Sequence, residues 1–286
     1  MYRRLTLLLT SLAFLLLISC DDNPIEIERE IPPAEEIVPD EEKEWQLVWE
    51  DEFDSEQLDP QKWSFQFGTG SDEGLTNWGN NELQYYTDRE ENLFLEDGKL
   101  HIVAHRESFG GMQYTSARIR TRSKGDWMYG RIEIRAKLPQ GQGIWPAIWM
   151  LPTKDNFQWP RDGEIDIMEM VGHEPNTIHG TVHFEKNEGG HDSDGKSYTL
   201  QEGIFADDFH IFSIEWKLNE IQFFMDGNHY FTVNPSILSS NNYPFNNTFH
   251  LIMNVAVGGI WPGNPDSTTQ LPQSMIIDYV RVYQLQ

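Results

Sequence analysis

A single cysteine, Cys20, is all the sequence contains, so no disulfide can close within the chain and stability must come from a packed core. Basic residues are scarce: 21 Lys and Arg stand against 46 Asp and Glu, a formal net charge of −25. That balance makes nucleic acid and anionic membrane surfaces poor partners and disfavours highly sulfated polymers, while neutral substrates stay open. Long apolar runs are missing except at residues 5–18, which are too few to span a bilayer. Also absent are a phosphate-cradling glycine loop, a nucleophile elbow and a dinucleotide fingerprint. Beyond residue 18 there is no capped amphipathic helix of ordinary length.

Residues 5–18 follow Arg3 and Arg4 and read as the apolar region of a secretory signal. The signal runs into Leu17-Ile18-Ser19-Cys20. A small residue before a lone cysteine resembles a bacterial lipoprotein signal over residues 1–19, which implies cleavage before Cys20 and lipid on its sulfur. The expected location is the outer membrane, on its periplasmic face or at the cell surface, with the lipid as the only membrane contact. An ordinary signal with an incidental thiol is the alternative. Loss of Arg3 and Arg4 would leave a mature charge of about −27. Residues 20–44 are acidic, carry Pro24, Pro32, Pro33 and Pro39, and have too few large apolar residues for a core. They read as an extended tether. Asp21 and Asp22 resemble surface-export signals of Bacteroidetes-type lipoproteins.

From Trp45 to Gln286 short alternating or apolar runs recur between Gly, Pro, Asn and Asp clusters. Examples lie at 100–104, 131–136, 177–184, 211–216, 221–225 and 276–283. Asp226-Gly227-Asn228 between two such runs predicts a hairpin. Many strands without helices predict an all-β domain over 45–286, built as two packed antiparallel sheets.

Three acids interrupt one of these runs, Gly163-Glu164-Ile165-Asp166-Ile167-Met168-Glu169. Buried segments rarely carry acids unless these are paired or do chemistry. On a strand Glu164 and Asp166 share a face. Glu169 is one residue out of phase and rejoins them only if an extra residue, Met168, is taken up as a β-bulge. Glu164 and Glu169 would then have Cα atoms about 13 Å apart, and side chains leaning together can close to the ~5–5.5 Å of a retaining glycosidase. Crowding separates the pKa values of such acids, leaving one protonated and one ionised. An acidic cation-binding patch is the alternative reading of these residues alone.

The ten tryptophans bear on that choice. Trp145 and Trp149 are four apart and share a strand face. Trp78, Trp159 and Trp261 stand beside Gly, Pro or Asn in loop-like contexts. Flat indole faces suit sugar rings, so the set together favours a sugar-binding cleft. His179 and His183 are about 13 Å apart on a strand, too far to share a zinc, which argues against a catalytic zinc.

With these residues in view, the acid run resembles the signature of glycoside hydrolase family 16, in the longer, bulged form similar to laminarinases. The resemblance extends through Trp49–Asp54, Trp78–Thr87, Tyr114–Arg118, Gly143–Trp149, Ala256–Gly263 and Asp278–Tyr283. It implies a β-jelly-roll sandwich whose concave face is a substrate cleft. It also implies Glu164 as nucleophile, Glu169 as general acid/base and Asp166 assisting between them. Asn80, Arg118, Trp145, Trp149, His183 and Trp261 match positions lining sugar subsites. No cofactor is implied for catalysis. A structural calcium is implied on the convex side, held by the Asp278 carboxylate and backbone oxygens of Glu52 and Gly98. Ile260 stands where laminarinases often have Asn, which bears on fine substrate preference. The expected activity is that of a retaining endo-β-1,3-glucanase on laminarin-type β-glucan, acting as a monomer. The alternatives are a mixed-linkage glucanase, a galactan hydrolase, and a surface glycan-binding protein that does not cleave.

Overall fold

Alternation along one strand shows how the molecule is layered. Over Thr177–Glu185 the residues Ile178, Gly180, Val182 and Phe184 are buried, and the residues between them face the opposite side. The same division holds over Ile144–Pro152, where Ile144, Ile148 and Met150 enter the core while Trp145, Ala147, Trp149 and Leu151 line a cleft. The computed structural model describes residues 43–240 and 242–286. The expected signal, Cys20 and nearly all of the tether lie outside them.

Eighteen strands occur among the described residues. They are β1 (Trp45–Asp51), β2 (Ser64–Phe65), β3 (Gln84–Tyr86), β4 (Leu93–Glu96), β5 (Lys99–Phe109), β6 (Met112–Ser116), β7 (Arg118–Arg120), β8 (Asp126–Trp127) and β9 (Gly130–Lys137). Then come β10 (Ile144–Pro152), β11 (Glu164–Glu169), β12 (Thr177–Glu185), β13 (His191–Thr199), β14 (His210–Lys217), β15 (Glu220–Met225), β16 (Asn228–Val233), β17 (Phe249–Val257) and β18 (Gln273–Leu285). Described helix amounts to two three-residue 3-10 turns, Ser71–Glu73 and Asn77–Gly79.

The described strands form two sheets. One has the order β16-β15-β14-β9-β18-β5-β6-β3, with β1 also on β18 and β4 also on β5. The other runs β13-β12-β11-β10-β17-β7-β2, with β8 on β17. Pairing is antiparallel as expected, with one departure: β3 and β6 run parallel. Between the sheets lies one apolar core, in which Ile132, Ile134, Phe212 and Phe223 of the first meet Ile148, Ile165, Leu251 and Met253 of the second. β17 is buried along its whole length because its outer face forms the floor of the cleft. The β15–β16 hairpin turns on Asp226 and Gly227, with φ of 47° and 76°, the paired positive values of a two-residue turn.

Candidate active site

The acid strand β11 lies between β10 and β12 at the centre of the second sheet. Gly163, with φ 88°, turns the chain into it, and a Cβ there would meet Phe245 and Pro244 at 3.0 Å. Glu164 stands opposite His183, Asp166 opposite Thr181 and Glu169 opposite His179. Between these pairs two residues of β11, Ile167 and Met168, face one of β12, Gly180, which is the expected bulge. Its position is one residue broader than expected. Against β10, Met168 pairs with Ile148 and Asp166 with Trp149, so Ile167 is the residue skipped there. Both Ile167 and Met168 turn into the core, and that double inward step returns Glu169 to the acidic face.

All three acids line a cleft of about 560 Å³ on the outer face of this sheet. Asn80, Arg118, Trp145, Trp149, His183 and Trp261 line it too. Trp145 donates its indole N–H to Glu169 Oε1 at 3.0 Å, and Trp159 donates to Glu164 Oε2 at 2.8 Å. Trp261 packs edge-on against Trp145, with centroids 5.6 Å apart, and against His179 at 5.1 Å. Arg118 is buried between the rings of Trp78 and Trp149, 4.3 and 4.6 Å from their centroids, and donates from Nε to Gln66 at 2.7 Å. Trp149 is in turn fixed by Asn254 at 2.8 Å. Asn80 donates weakly to the buried Glu82, at 3.4 Å.

Electrostatics divide the acids. Burial, then the charge of Asp166, pushes Glu164 up to about 8. Burial pushes Asp166 up to about 7, and a hydrogen bond links these two carboxyls so that one proton serves both. Glu169 is raised well above the usual range by burial, then by the charges of Asp166 and Glu164. These causes all favour the protonated form of Glu169. The bond between Glu164 and Asp166 raises Glu164 and lowers Asp166, so in the empty cleft the shared proton rests on Glu164, while the field of His183 and the Trp159 N–H both work toward its ionised form. A proton donor and an ionised carboxylate on one cleft face are the chemical equipment of glycoside hydrolysis.

Several lining residues were not among those expected. His191 of β13 meets His183 Nδ1 with its Nε2 at 2.8 Å. His250 of β17 forms the cleft floor and is pushed down to about 3, first by burial and then by the charges of Arg120, Arg122 and Arg118. Asn254 had a readable signal, being the lone amide in the apolar run Leu251–Val257. His191 had none, since its neighbours are an ordinary polar edge strand.

Away from the cleft, the edge of β18 passes from β5 to β1 near Asp278: Ile277 pairs with Leu100 and Val280 with Asp51. This register carries Glu52, Gly98 and Asp278 to one junction. Asp278 Oδ2 accepts from Arg135 at 2.5 Å, and the Glu52 carboxylate takes Arg281 at 2.7 and 2.8 Å. Backbone carbonyls and the second Asp278 oxygen are the donors left, and hard oxygen donors suit calcium by type.

The model of glycosyl hydrolases family 16 matches residues 71–281. A β-glucanase of Rhodothermus marinus is 44% identical over 257 residues, covering 84% of this chain and 85% of that protein. The glucan endo-1,3-β-glucosidase A1 of Niallia circulans is 39% identical across 84% of this chain, which spans 38% of that longer protein. The crystal structure of the laminarinase catalytic domain from Thermotoga maritima is similar with a TM-score of 0.78 and 49% identity, over 84% of this chain and 98% of that one. A family match that runs from the loop before Trp78 into β18, with the Rhodothermus marinus protein and the Thermotoga maritima structure this similar across most of their own length, places the chain in glycosyl hydrolases family 16.

Proposed function

We propose that the protein is an endo-β-1,3-glucanase that cleaves laminarin-type β-glucan with retention of configuration. The observation that carries this reading is Glu164 and Glu169 on one cleft face of β11, each held by the indole N–H of a cleft tryptophan. The protonated Glu169 gives its proton to the departing glycosidic oxygen while Glu164 attacks the anomeric carbon. Water activated by the now ionised Glu169 then releases the glycosyl-enzyme and restores both groups. Asp166, hydrogen-bonded to Glu164, is the neighbour that takes up their shared proton as Glu164 attacks. Two glutamates borne on one strand, with one intervening residue absorbed by the bulge, support the short carboxylate separation that retention needs. The names of the related laminarinases and 1,3-glucosidase support the linkage.

Incubation with laminarin, lichenan and agarose, followed by measurement of new reducing ends, tests the substrate. Laminarin should be cleaved fastest, and cleavage of none of the three would overturn the reading. Glu164→Gln and Glu169→Gln should each stay folded and lose orders of magnitude in turnover. NMR of the first-formed anomer reads retention directly.

We also propose, on the sequence of residues 1–44 alone, an exported lipoprotein held to the outer membrane through Cys20. Labelling with a radioactive fatty acid should mark the wild type and leave Cys20→Ala unlabelled. A monomer and a structural calcium at the Asp278 junction complete the reading. The calcium has no part in the chemistry.

A further inference from the structure

Asp166 is 2% exposed, yet its Oδ2 accepts no aligned hydrogen bond. The His183 Nε2 nitrogen lies 3.1 Å from it but off the line that a hydrogen bond requires. A buried carboxylate oxygen left in this way is an open demand for a cation or a donor. Glu164, Asp166 and His183 each offer a ligand atom, all within 4.8 Å of one another. No other trio of His, Cys, Asp or Glu among the described residues is found this close. Two ligand atoms on a tetrahedral ion with bonds of ~2 Å sit about 3.3 Å apart, so the His183–Asp166 spacing already matches one edge. With Oε2 held by Trp159, ligation by Glu164 falls to Oε1.

The far side of His183 is arranged to suit. Its Nδ1 is 2.8 Å from His191 Nε2, the two rings are stacked with centroids 5.0 Å apart, and Trp159 packs against His191 at 4.7 Å. A metal on Nε2 requires the His183 proton on Nδ1, where His191 stands ready to accept it. Ligating histidines are ordinarily oriented by such a partner.

We propose that Glu164, Asp166 and His183 form a binding site for a first-row transition dication such as Zn2+, seated over the nucleophile so that metal and glucan exclude one another. One imidazole and two carboxylates suit this class of ion better than Mg2+, which favours an all-oxygen octahedron. The ion takes no part in hydrolysis; it blocks the carboxylate that must attack. Only the identity of the excluded ligand rests on the glucanase reading.

Calorimetric titration of the intact chain with ZnCl2, with MgCl2 as control, tests the site without reference to activity. One Zn2+ should bind per chain, with no comparable heat from Mg2+. His191→Phe, which keeps the ring and removes the acceptor, should weaken zinc by about 10–100-fold, and His183→Ala by more. Far-UV circular dichroism checks that the variants fold, and Asp166→Asn replaces His183→Ala if that variant does not. In Glu169→Gln, which keeps all three ligands, zinc and laminaritetraose should weaken each other by the same factor. Absence of binding by the wild type, or unchanged affinity in folded His183→Ala, would overturn the site. Laminarin cleavage measured in EDTA separates the two readings. No cleavage removes the glucanase and leaves the zinc result standing, while cleavage without zinc binding removes only the metal site.

Discussion

The indole nitrogen of Trp145 lies 3.0 Å from Glu169 Oε1, so the residue that walls the cleft also tunes the proposed acid. Burial and the neighbouring acids raise Glu169, and this one hydrogen bond works against them by favouring its charged form. Trp145→Phe keeps an aromatic face for the sugar and removes the donor. Glu169 should then hold its proton to higher pH, and the basic limb of the kcat/KM profile should move upward. An unmoved basic limb would mean that another group is the acid.

Asp166 acts with the opposite sign. Its charge is the second cause, after burial, of the upward shifts of both Glu164 and Glu169. Asp166→Asn removes that charge at constant shape, so both glutamates should ionise at lower pH. Both limbs of the pH–rate profile should move toward acid while turnover falls. Movement of one limb alone would show that Asp166 couples to one glutamate only.

These relationships were legible to different depths. The acid face could be read because carboxylates in an apolar strand are costly and conspicuous, and because a period of two exposes a residue that is out of phase. The same period placed Trp145 with Trp149. The Asp226-Gly227 turn was legible because few residues accept two positive φ values in succession. Arg118 was found by resemblance, but its clasp was not, since Trp78 reaches it from a loop with φ of 47° and 54° at Asn77 and Trp78. His191 and His250 come from strands on either side of the acids, and only the order β13-β12-β11-β10-β17 brings them to the cleft. The parallel β3–β6 pair is a closure of the same long-range kind.

Arg118 should tolerate no conservative exchange. A guanidinium between two indoles stacks on both, whereas an ammonium offers a point charge and loses the plane. Desolvated cation–π contacts contribute about 2 kcal/mol. Arg118→Lys should therefore loosen Trp149 and lower kcat/KM for laminarin by about tenfold, mostly through KM. Equal losses in kcat and kcat/KM would assign Arg118 to the reacting centre instead.

Removal of calcium should act on stability and not on chemistry. Treatment with EGTA should lower Tm by a few degrees, as loss of about 1 kcal/mol does in a domain of this size. Calcium should restore Tm in the wild type but not in Asp278→Ala. With Arg135 already neutralising Asp278 Oδ2, the effect should be small, and kcat at 25 °C should not change. No response of Tm to EGTA would leave the Arg135–Asp278 pair as the whole function of that junction.

The bulge makes the sharpest prediction, because it separates two deletions that look alike on paper. Deleting Met168 leaves Glu164, Asp166 and Glu169 in strict alternation, and Glu169 keeps its place opposite His179 with the ladder now continuous. The core loses one fully buried side chain, at a cost of about 2–5 kcal/mol. The protein should be less stable but still cleave laminarin at a measurable rate. Deleting Ile165 removes a residue of the same class and burial on the other side of Asp166. It turns Glu164 into the core position, where an unpaired carboxylate is expensive and out of reach of the cleft. Activity should vanish, and the unfolding midpoint should fall further than for the Met168 deletion. Denaturant unfolding and reducing-end assays on the two proteins decide the matter. Equal loss of activity in both would mean that the bulge sets the shape of the cleft and not merely the phase of its acids.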